Sequence, residues 1–220
     1  MRRLGSGARR TSLTRQRIED SLRVRVALGV LTGWLLAGAT ATTAPGSGTP
    51  EDARRLAAGD VVVTDALPPG ASEEARGGTA VALLRASPEE VWRVIVDYRG
   101  HPRYYPRVTA ADVVEKDERH VIVRYRITVG PFSFGFYMEK YPDPLRRRVE
   151  WQLAAGRAHG LFRENSGYWQ IDPTDAADAS LVTYAIAVRT VLPAFVVSGS
   201  ESASLAETVT ALRKLVEAPR

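Results

Sequence analysis

Cysteine is absent from the 220-residue chain. The chain therefore has no disulfide framework, no thiolate nucleophile and no cysteine-ligated metal. Exported bacterial domains can fold without disulfides when they are large enough to build a core, so this absence does not fix the compartment.

Histidine is scarce, and the familiar catalytic spacings are missing. The chain contains only His101, His120 and His159, none within an HExxH motif, and it has no Gly-x-Ser-x-Gly segment. We predict His101 on a turn, His120 at an outward strand position and His159 in a glycine-rich loop. The sequence thus favours a non-enzymatic role, with no catalytic residues, metal site or cofactor.

Long hydrophobic runs are also lacking. Residues 26–37 form an uncharged apolar run of twelve, shorter than the roughly 20 residues that span a bilayer. This run follows an Arg-rich segment and precedes small residues that include Ala39-Thr40-Ala41, which is the order of a signal peptide. We predict a targeting segment over residues 1–44, cleaved near Ala41, and an exported (periplasmic or secreted) protein. The alternatives are a membrane anchor at residues 26–37 and a cytosolic tail.

The basic charge belongs to the predicted leader. The whole chain carries 30 basic and 25 acidic residues, and its pI is about 9.7. Residues 1–44 hold eight arginines and two acidic residues, so the remainder has 22 basic and 23 acidic residues. A mature chain so close to neutral gives little support to a nucleic-acid partner.

The mature chain begins with a linker and an N-terminal extension, residues 45–78. A Pro- and Gly-rich stretch over 45–50 is typical of a flexible linker. One or two helical turns are expected over 51–58 and a short strand over 60–65. Whether this strand joins the main sheet is left open. The main domain is expected over residues 79–218.

The strongest local signal follows a strand predicted over residues 79–86. Ser87 suits an N-cap, Pro88 the first helical position and Glu90 the third, which together make a capping box. Apolar residues then recur at helical spacing up to Tyr98. A second short helix or turn is expected over 101–108, and Asp97 is expected to cap it.

From residue 109 to about 190 the apolar period changes from 3.6 to 2. Strands are predicted over 120–129, 132–139, 146–153, 162–171 and 181–188, joined by turns. This pattern is typical of an antiparallel meander with one apolar face. A long C-terminal helix follows, with its apolar face at Leu205, Val209, Leu212 and Val216. Strands grouped beside segregated helices predict an α+β fold.

Two segments of this chain resemble the START-like (SRPBCC) superfamily, in particular its polyketide cyclase/dehydrase and coenzyme Q-binding branch. They are residues 86–98, with Ser87-Pro88 and Val91-Trp92, and residues 101–108, with Tyr104-Tyr105-Pro106. Weaker likenesses lie at residues 167–169 and 181–184. The resemblance implies a helix-grip fold, in which about seven curved strands wrap round the C-terminal helix, with two short helices after the first strand.

The resemblance also implies a cavity between sheet and helix that binds lipids, quinones, isoprenoids or polyketides. Alternation indicates which side chains face it, although the same stripe would also suit a packed core. The expected ligand-binding residues from the strands and the last helix are Tyr125, Phe134, Phe136, Met138, Trp151, Trp169, Tyr184, Val209 and Leu212.

Four further residues complete the predicted binding set. Arg147 and Arg163 share a predicted inner face with tryptophans, so they could hold an acidic or carbonyl head group. Alternatively, the strand ends reach solvent there or the register slips by one. Tyr104 and Tyr105 could form a lid or mouth over the cavity, or a packed turn.

These features together predict a monomeric, exported protein that binds or transports a hydrophobic small molecule, with transient membrane contact and no nucleic-acid partner. One alternative is a polyketide cyclase-like enzyme that uses Arg147, Arg163 or Tyr184. The other is a protein-interaction module like the ribosome-associated relatives of the superfamily.

Overall fold

The computed structural model of the chain describes residues 48–191 and 201–218, all of which fall in one unit, Ala44–Arg220. The predicted leader and its cleavage site near Ala41 lie outside the described residues. Over the described ranges, no helix is both long and apolar enough to cross a membrane.

Eight antiparallel strands form one sheet in the spatial order β1-β2-β8-β7-β6-β5-β4-β3. In chain order, the strands are β1 (Val61–Thr64), β2 (Arg76–Leu84), β3 (Val108–Lys116), β4 (Val121–Val129), β5 (Phe132–Asp143), β6 (Arg148–Leu153), β7 (Phe162–Pro173) and β8 (Ser180–Thr190). Strands β3 to β8 form a meander, and β8 returns to pair with β2. This confirms the predicted α+β helix-grip fold.

The N-terminal extension is part of this sheet. Helix α1 (Pro50–Ala57) is followed by β1, which pairs with β2 and becomes an edge strand. The open question about residues 60–65 is therefore settled: they supply the eighth strand. Strand β2 also begins earlier than predicted, at Arg76, because its first residues already pair with β8.

Local capping sets the helices between β2 and β3. Ser87 accepts a hydrogen bond from the Glu90 amide, and the Glu90 carboxylate accepts one from the Ser87 amide, which starts helix α2 (Pro88–Val96). Asp97 accepts from the Gly100 amide and caps a 3₁₀ helix, Tyr98–Arg103. Both predicted caps are confirmed. The second helix begins three residues earlier than expected, because Asp97 ends one helix and starts the next.

The C-terminal helix α3 (Glu201–Val216) lies mainly over β1 and β2. Leu205, Val209 and Leu212 are fully buried, as the helical period predicts. At Gly78 on β2, a Cβ atom would lie 3.2 Å from Leu205 Cδ1 and 2.3 Å from the Thr64 carbonyl oxygen. Glycine at this position therefore lets β1 lie close to β2, and a larger residue would also press on Leu205 of α3.

The Ser87 cap should contribute measurably to global stability, because α2 buries Val91 and Ile95 in the core. We expect Ser87→Ala to lower the free energy of unfolding by about 1 kcal/mol, measured by urea denaturation.

The matched control is Thr49→Ala, which removes the same kind of capping box from α1, a helix with no buried residue. Loss of this cap should cost less than about 0.5 kcal/mol, since an exposed helix can fray without global unfolding. Equal losses for the two variants would contradict this account.

Candidate ligand-binding cavity

A cavity of about 390 Å³ lies between the inner face of the sheet and α3. Most of its wall is aromatic or aliphatic, which is usual for sites that bind small apolar molecules. The apolar wall residues are Tyr105, Val108, Tyr125, Ile127, Phe136, Met138, Trp151, Leu161, Phe162, Tyr184, Ile186, Val188 and Leu205. Among the polar wall residues are Lys140, Asn165, Ser204 and Thr208.

Strand register brings these side chains onto one face. Tyr125 of β4 lies opposite Phe136 of β5, and their rings stack with centroids 5.4 Å apart. Further along β5, Lys140 lies opposite Trp151 of β6. Because opposite residues on paired strands point to the same side of the sheet, the alternation read from the sequence directly builds the cavity wall.

Trp151 is held in place by its neighbours on β7. Its indole Nε1 donates to the Asn165 side-chain oxygen at 3.2 Å. At Gly167 on the same strand, a Cβ atom would lie 2.6 Å from Trp151 Cζ2 and 2.1 Å from the Ala185 carbonyl oxygen. A larger residue there would clash with both the indole and the backbone of β8, so glycine is needed for Trp151 to occupy this place in the wall.

Lys140 is the unusual member of the wall. The residue is only 3% exposed. The ammonium nitrogen lies 4.4 Å from the Trp151 ring centroid, 5.5 Å from that of Tyr125 and 5.8 Å from that of Tyr105. Within the described ranges, it forms no ion pair or hydrogen bond. Burial without a counter-charge lowers the pKa of Lys140 to about 7.

His101 supports this wall from behind. It is 1% exposed, and its Nε2 lies 2.9 Å from the Ile95 carbonyl oxygen, so Nε2 carries the proton. The other nitrogen, Nδ1, must then accept from the Tyr125 hydroxyl at 2.6 Å. Burial, together with the nearby charge of Lys140, lowers the pKa of His101 well below its usual value. The neutral imidazole thus fixes the orientation of Tyr125.

The sequence profile of a family described as polyketide cyclase/dehydrase and lipid transport matches residues 84–213. This match spans more than half of the chain and extends over β3 to β8, which carry most of the cavity wall. The chain belongs to this family. Its fold is START-like, as the resemblance at residues 86–98 and 101–108 implies. No curated protein matches the chain.

Solved structures of the family fold superimpose on the chain at low sequence identity. A START superfamily protein from Mycobacterium smegmatis is 17% identical, with a TM-score of 0.53, and the match covers 63% of this chain and 95% of the other. A STAR-related lipid transfer protein from Xanthomonas axonopodis is 13% identical, with a TM-score of 0.54 and coverage of 72% and 99%. An aromatase/cyclase from a Streptomyces species is 16% identical, with a TM-score of 0.50 and coverage of 63% and 92%. At these identities, the likeness shows the fold alone.

Six of the predicted binding residues line the cavity of this family member. They are Tyr105, Tyr125, Phe136, Met138, Trp151 and Tyr184. All except Tyr105 lie on strands, at the inward positions that the period of two predicts. Tyr105 lies in the turn after the 3₁₀ helix, where its hydroxyl accepts from Trp169 Nε1 at 2.6 Å.

Five other predicted residues pack beside the cavity instead of lining it. Tyr104 is buried against Tyr105, with ring centroids 4.7 Å apart. Trp169 stacks on Tyr184 at 4.3 Å, and this stacking keeps its ring in the core. Phe134, Val209 and Leu212 also lie outside the wall. Phe134 packs against the core near the hairpin end of β5, and Val209 and Leu212 of α3 pack on the sheet.

The two arginines expected to bind a head group lie outside the cavity. Arg147 belongs to the turn before β6, at φ 49°, and its guanidinium pairs with Glu89 of α2. Arg163 is exposed because β7 has a register shift between Phe162 and Glu164. This β-bulge turns Phe162 and Asn165 inward, three residues apart, and breaks the alternation that placed Arg163 inside.

Lys140 and His101 were not among the predicted site residues. Lys140 continues the inward series Phe134, Phe136 and Met138 by one more step, so the period of two would have placed it inside. His101 was predicted on a turn, and it lies in the 3₁₀ helix. The contacts that bury it involve β3 and β4, which lie outside its own segment, so the local pattern could not reveal them.

Among residues 48–191 and 201–218, no three His, Asp or Glu side chains come close enough to hold a metal.

The buried ammonium should destabilise the empty domain in a pH-dependent way. Because the pKa of Lys140 falls to about 7 on folding, the unfolded chain binds more protons between about pH 7 and pH 10, and stability from this group rises with pH there. We therefore expect Lys140→Met to raise the free energy of unfolding by about 3 kcal/mol at pH 6. This gain should shrink towards pH 10, as measured by urea denaturation across pH.

Lys116→Met is the matched control, because Lys116 is exposed on β3. It should change stability by less than about 0.5 kcal/mol at every pH. A gain for Lys140→Met that does not vary with pH, or a loss, would show that burial of the charge is not the cause.

Proposed function

We propose that this protein binds a hydrophobic small molecule in the cavity between its sheet and α3, and carries it outside the cytoplasm. The observation that supports this most is the cavity wall itself. Thirteen aromatic or aliphatic side chains line about 390 Å³ of space, beside a smaller number of polar and charged ones. Water molecules in such a space would find few hydrogen-bond partners. An apolar molecule that binds there is removed from water and contacts many side chains.

The family supports the same proposal. Its description combines polyketide cyclase/dehydrase with lipid transport. One of the similar structures is described as a lipid transfer protein and another as an aromatase/cyclase. Carriage is preferred over cyclisation for this chain, since of the three polar residues expected to act on a substrate, only Tyr184 lines the cavity.

Export is the part of the proposal that rests on sequence. A basic segment, the apolar run of residues 26–37 and the small residues up to Ala44 favour translocation with cleavage near Ala41. Outside the cytoplasm, a water-insoluble ligand would need a carrier between membranes or between a membrane and an enzyme.

Brief contact with a membrane would let the ligand enter and leave. Phe132, near the tip of the β4–β5 hairpin, is 65% exposed and is the kind of side chain that partitions into a lipid interface. Phe134 follows on the same hairpin, with its ring centroid 6.5 Å from that of Phe132.

A neutral apolar dye should bind in the cavity. We expect phenylnaphthylamine to fluoresce on binding to the lipid-stripped domain and to be displaced by native ligand recovered by solvent extraction. Ile186→Trp, which places an indole in the cavity, should weaken dye binding at least about tenfold, since the wall residue would occupy the space of the dye.

Val114→Trp is the control, because Val114 is exposed on β3, away from the cavity wall. Circular dichroism checks that both variants fold. Equal dye binding by wild type and a folded Ile186→Trp variant, or no dye binding at all, would overturn the proposed site.

Export is tested by following the whole chain in a host with a general secretion pathway. We expect the protein outside the cytoplasm to begin near Thr42, as read by N-terminal sequencing and intact mass. A variant that lacks residues 26–37 should stay in the cytoplasm with its N-terminus uncleaved. Cytoplasmic, unprocessed wild-type protein would contradict export.

A further inference from the structure

The cavity contains a cation that no residue in the described part of the chain neutralises. Lys140 reaches into the wall from the middle of the sheet, and its ammonium contacts only aromatic faces among the described residues. Cation–π contact recovers part of the lost hydration but supplies no counter-charge. An apolar ligand alone would bury this group further without compensating it.

The groups around Lys140 carry no competing charge near neutral pH. Burial keeps the pKa of His101 below its usual value and raises those of Tyr105, Tyr125 and Tyr184, the tyrosines that face the cavity from the turn, β4 and β8. Trp151 on β6 is not titratable. Since the described residues give Lys140 no polar partner, the space inside the cavity is where a partner would bind.

The rim of the cavity is also positive. Arg76, Arg107, Arg189 and Glu74 belong to the wall, so cations outnumber acids there even without Lys140. Glu74 is already paired with Arg189 at 3.1 Å. Arg76 and Arg107 are exposed and make no ion pair within the described part of the chain. An acidic molecule approaching this opening meets an attractive field.

We propose that the ligand is an amphipathic acid, with an apolar, ring-containing body and one anionic oxygen group that pairs with the Lys140 ammonium inside the cavity. This inference rests on the proposed function, since it names the class of molecule that the same cavity takes. The rings of Tyr105, Tyr125 and Trp151 lie around the Lys140 ammonium. A flat ligand body next to the ammonium could stack on these rings. The arginines at the rim attract the acid, and Lys140 holds it.

Two dyes with the same rings separate this inference from the proposed function. Phenylnaphthylamine is neutral, whereas anilinonaphthalenesulfonate adds one sulfonate that stays ionised at every pH used. Kd values for both dyes are measured by fluorescence with wild type, Lys140→Met and the exposed-site control Lys116→Met. The ratio of the two Kd values reports the contribution of the anion alone.

We expect Lys140→Met to weaken sulfonate binding relative to neutral-dye binding at least about tenfold at pH 6, since a hydrogen-bonded charge pair is lost. Lys116→Met should leave the ratio unchanged. In wild type, sulfonate binding should weaken from pH 6 to pH 9 as the Lys140 amine loses its proton, while neutral-dye binding stays nearly constant.

The possible failures are distinguishable. If neither dye binds to the wild-type protein, the proposed function fails, and with it the inference. If the neutral dye binds equally well to wild type and Lys140→Met, the variant is folded. An unchanged ratio of the two Kd values would then overturn the inference and leave the proposed function standing. A ratio that changes in an Arg76→Met, Arg107→Met double variant but not in Lys140→Met would likewise overturn it, since the rim would then hold the anion.

Discussion

The structure depends on a mismatch between one broad apolar sheet face and helix α3, which covers only part of it. Helix α3 lies mainly over β1 and β2. The inner faces of β4 and β5, further across the sheet, are covered in part by the 3₁₀ helix and the turn after it, which carry His101 and Tyr105, and otherwise by the aromatic side chains of the strands. A curved sheet that is not fully covered must either collapse on itself or enclose space, and rigid stacked rings such as Tyr125 on Phe136 hold the space open.

The polar groups around this space divide into satisfied and unsatisfied ones. His101, Tyr125, Trp151 and Asn165 form hydrogen bonds with one another or with the backbone. These bonds fix the wall without demanding anything from a ligand. Lys140 has no such partner in the described chain, and it differs from the others in carrying a charge at neutral to acidic pH. The hydrogen-bonded part of the wall is therefore preorganised, whereas the Lys140 ammonium is left without a polar partner among the described residues.

Sequence patterns predicted the fold well because its main signals are local. The capping box at Ser87, the period of two along β4 and β5, and the helical period from Leu205 each need only a few neighbouring residues to be recognised. The errors at the site have non-local causes. A β-bulge turns Arg163 outward. Arg147 has a left-handed backbone conformation and lies in the turn before β6 instead of on the strand. Packing of the 3₁₀ helix against the sheet buries His101. None of these leaves a periodic signal, whereas Lys140 did leave one, in the continued alternation of β5.

The features that weaken the empty domain are the same ones that a ligand would use. Open space forfeits packing contacts, and a desolvated ammonium costs free energy that an apolar side chain such as Met would not. A molecule with an apolar body and an acidic group would relieve both at once, filling the space and supplying the missing charge. The free energy of binding would thus include relief of both costs in the protein, the lost packing and the uncompensated charge. Such a molecule would therefore bind more tightly than one that only fills the space or only supplies the charge. That coupling is why Lys140 is more informative about the ligand than the many aromatic residues around it, which any apolar molecule would satisfy.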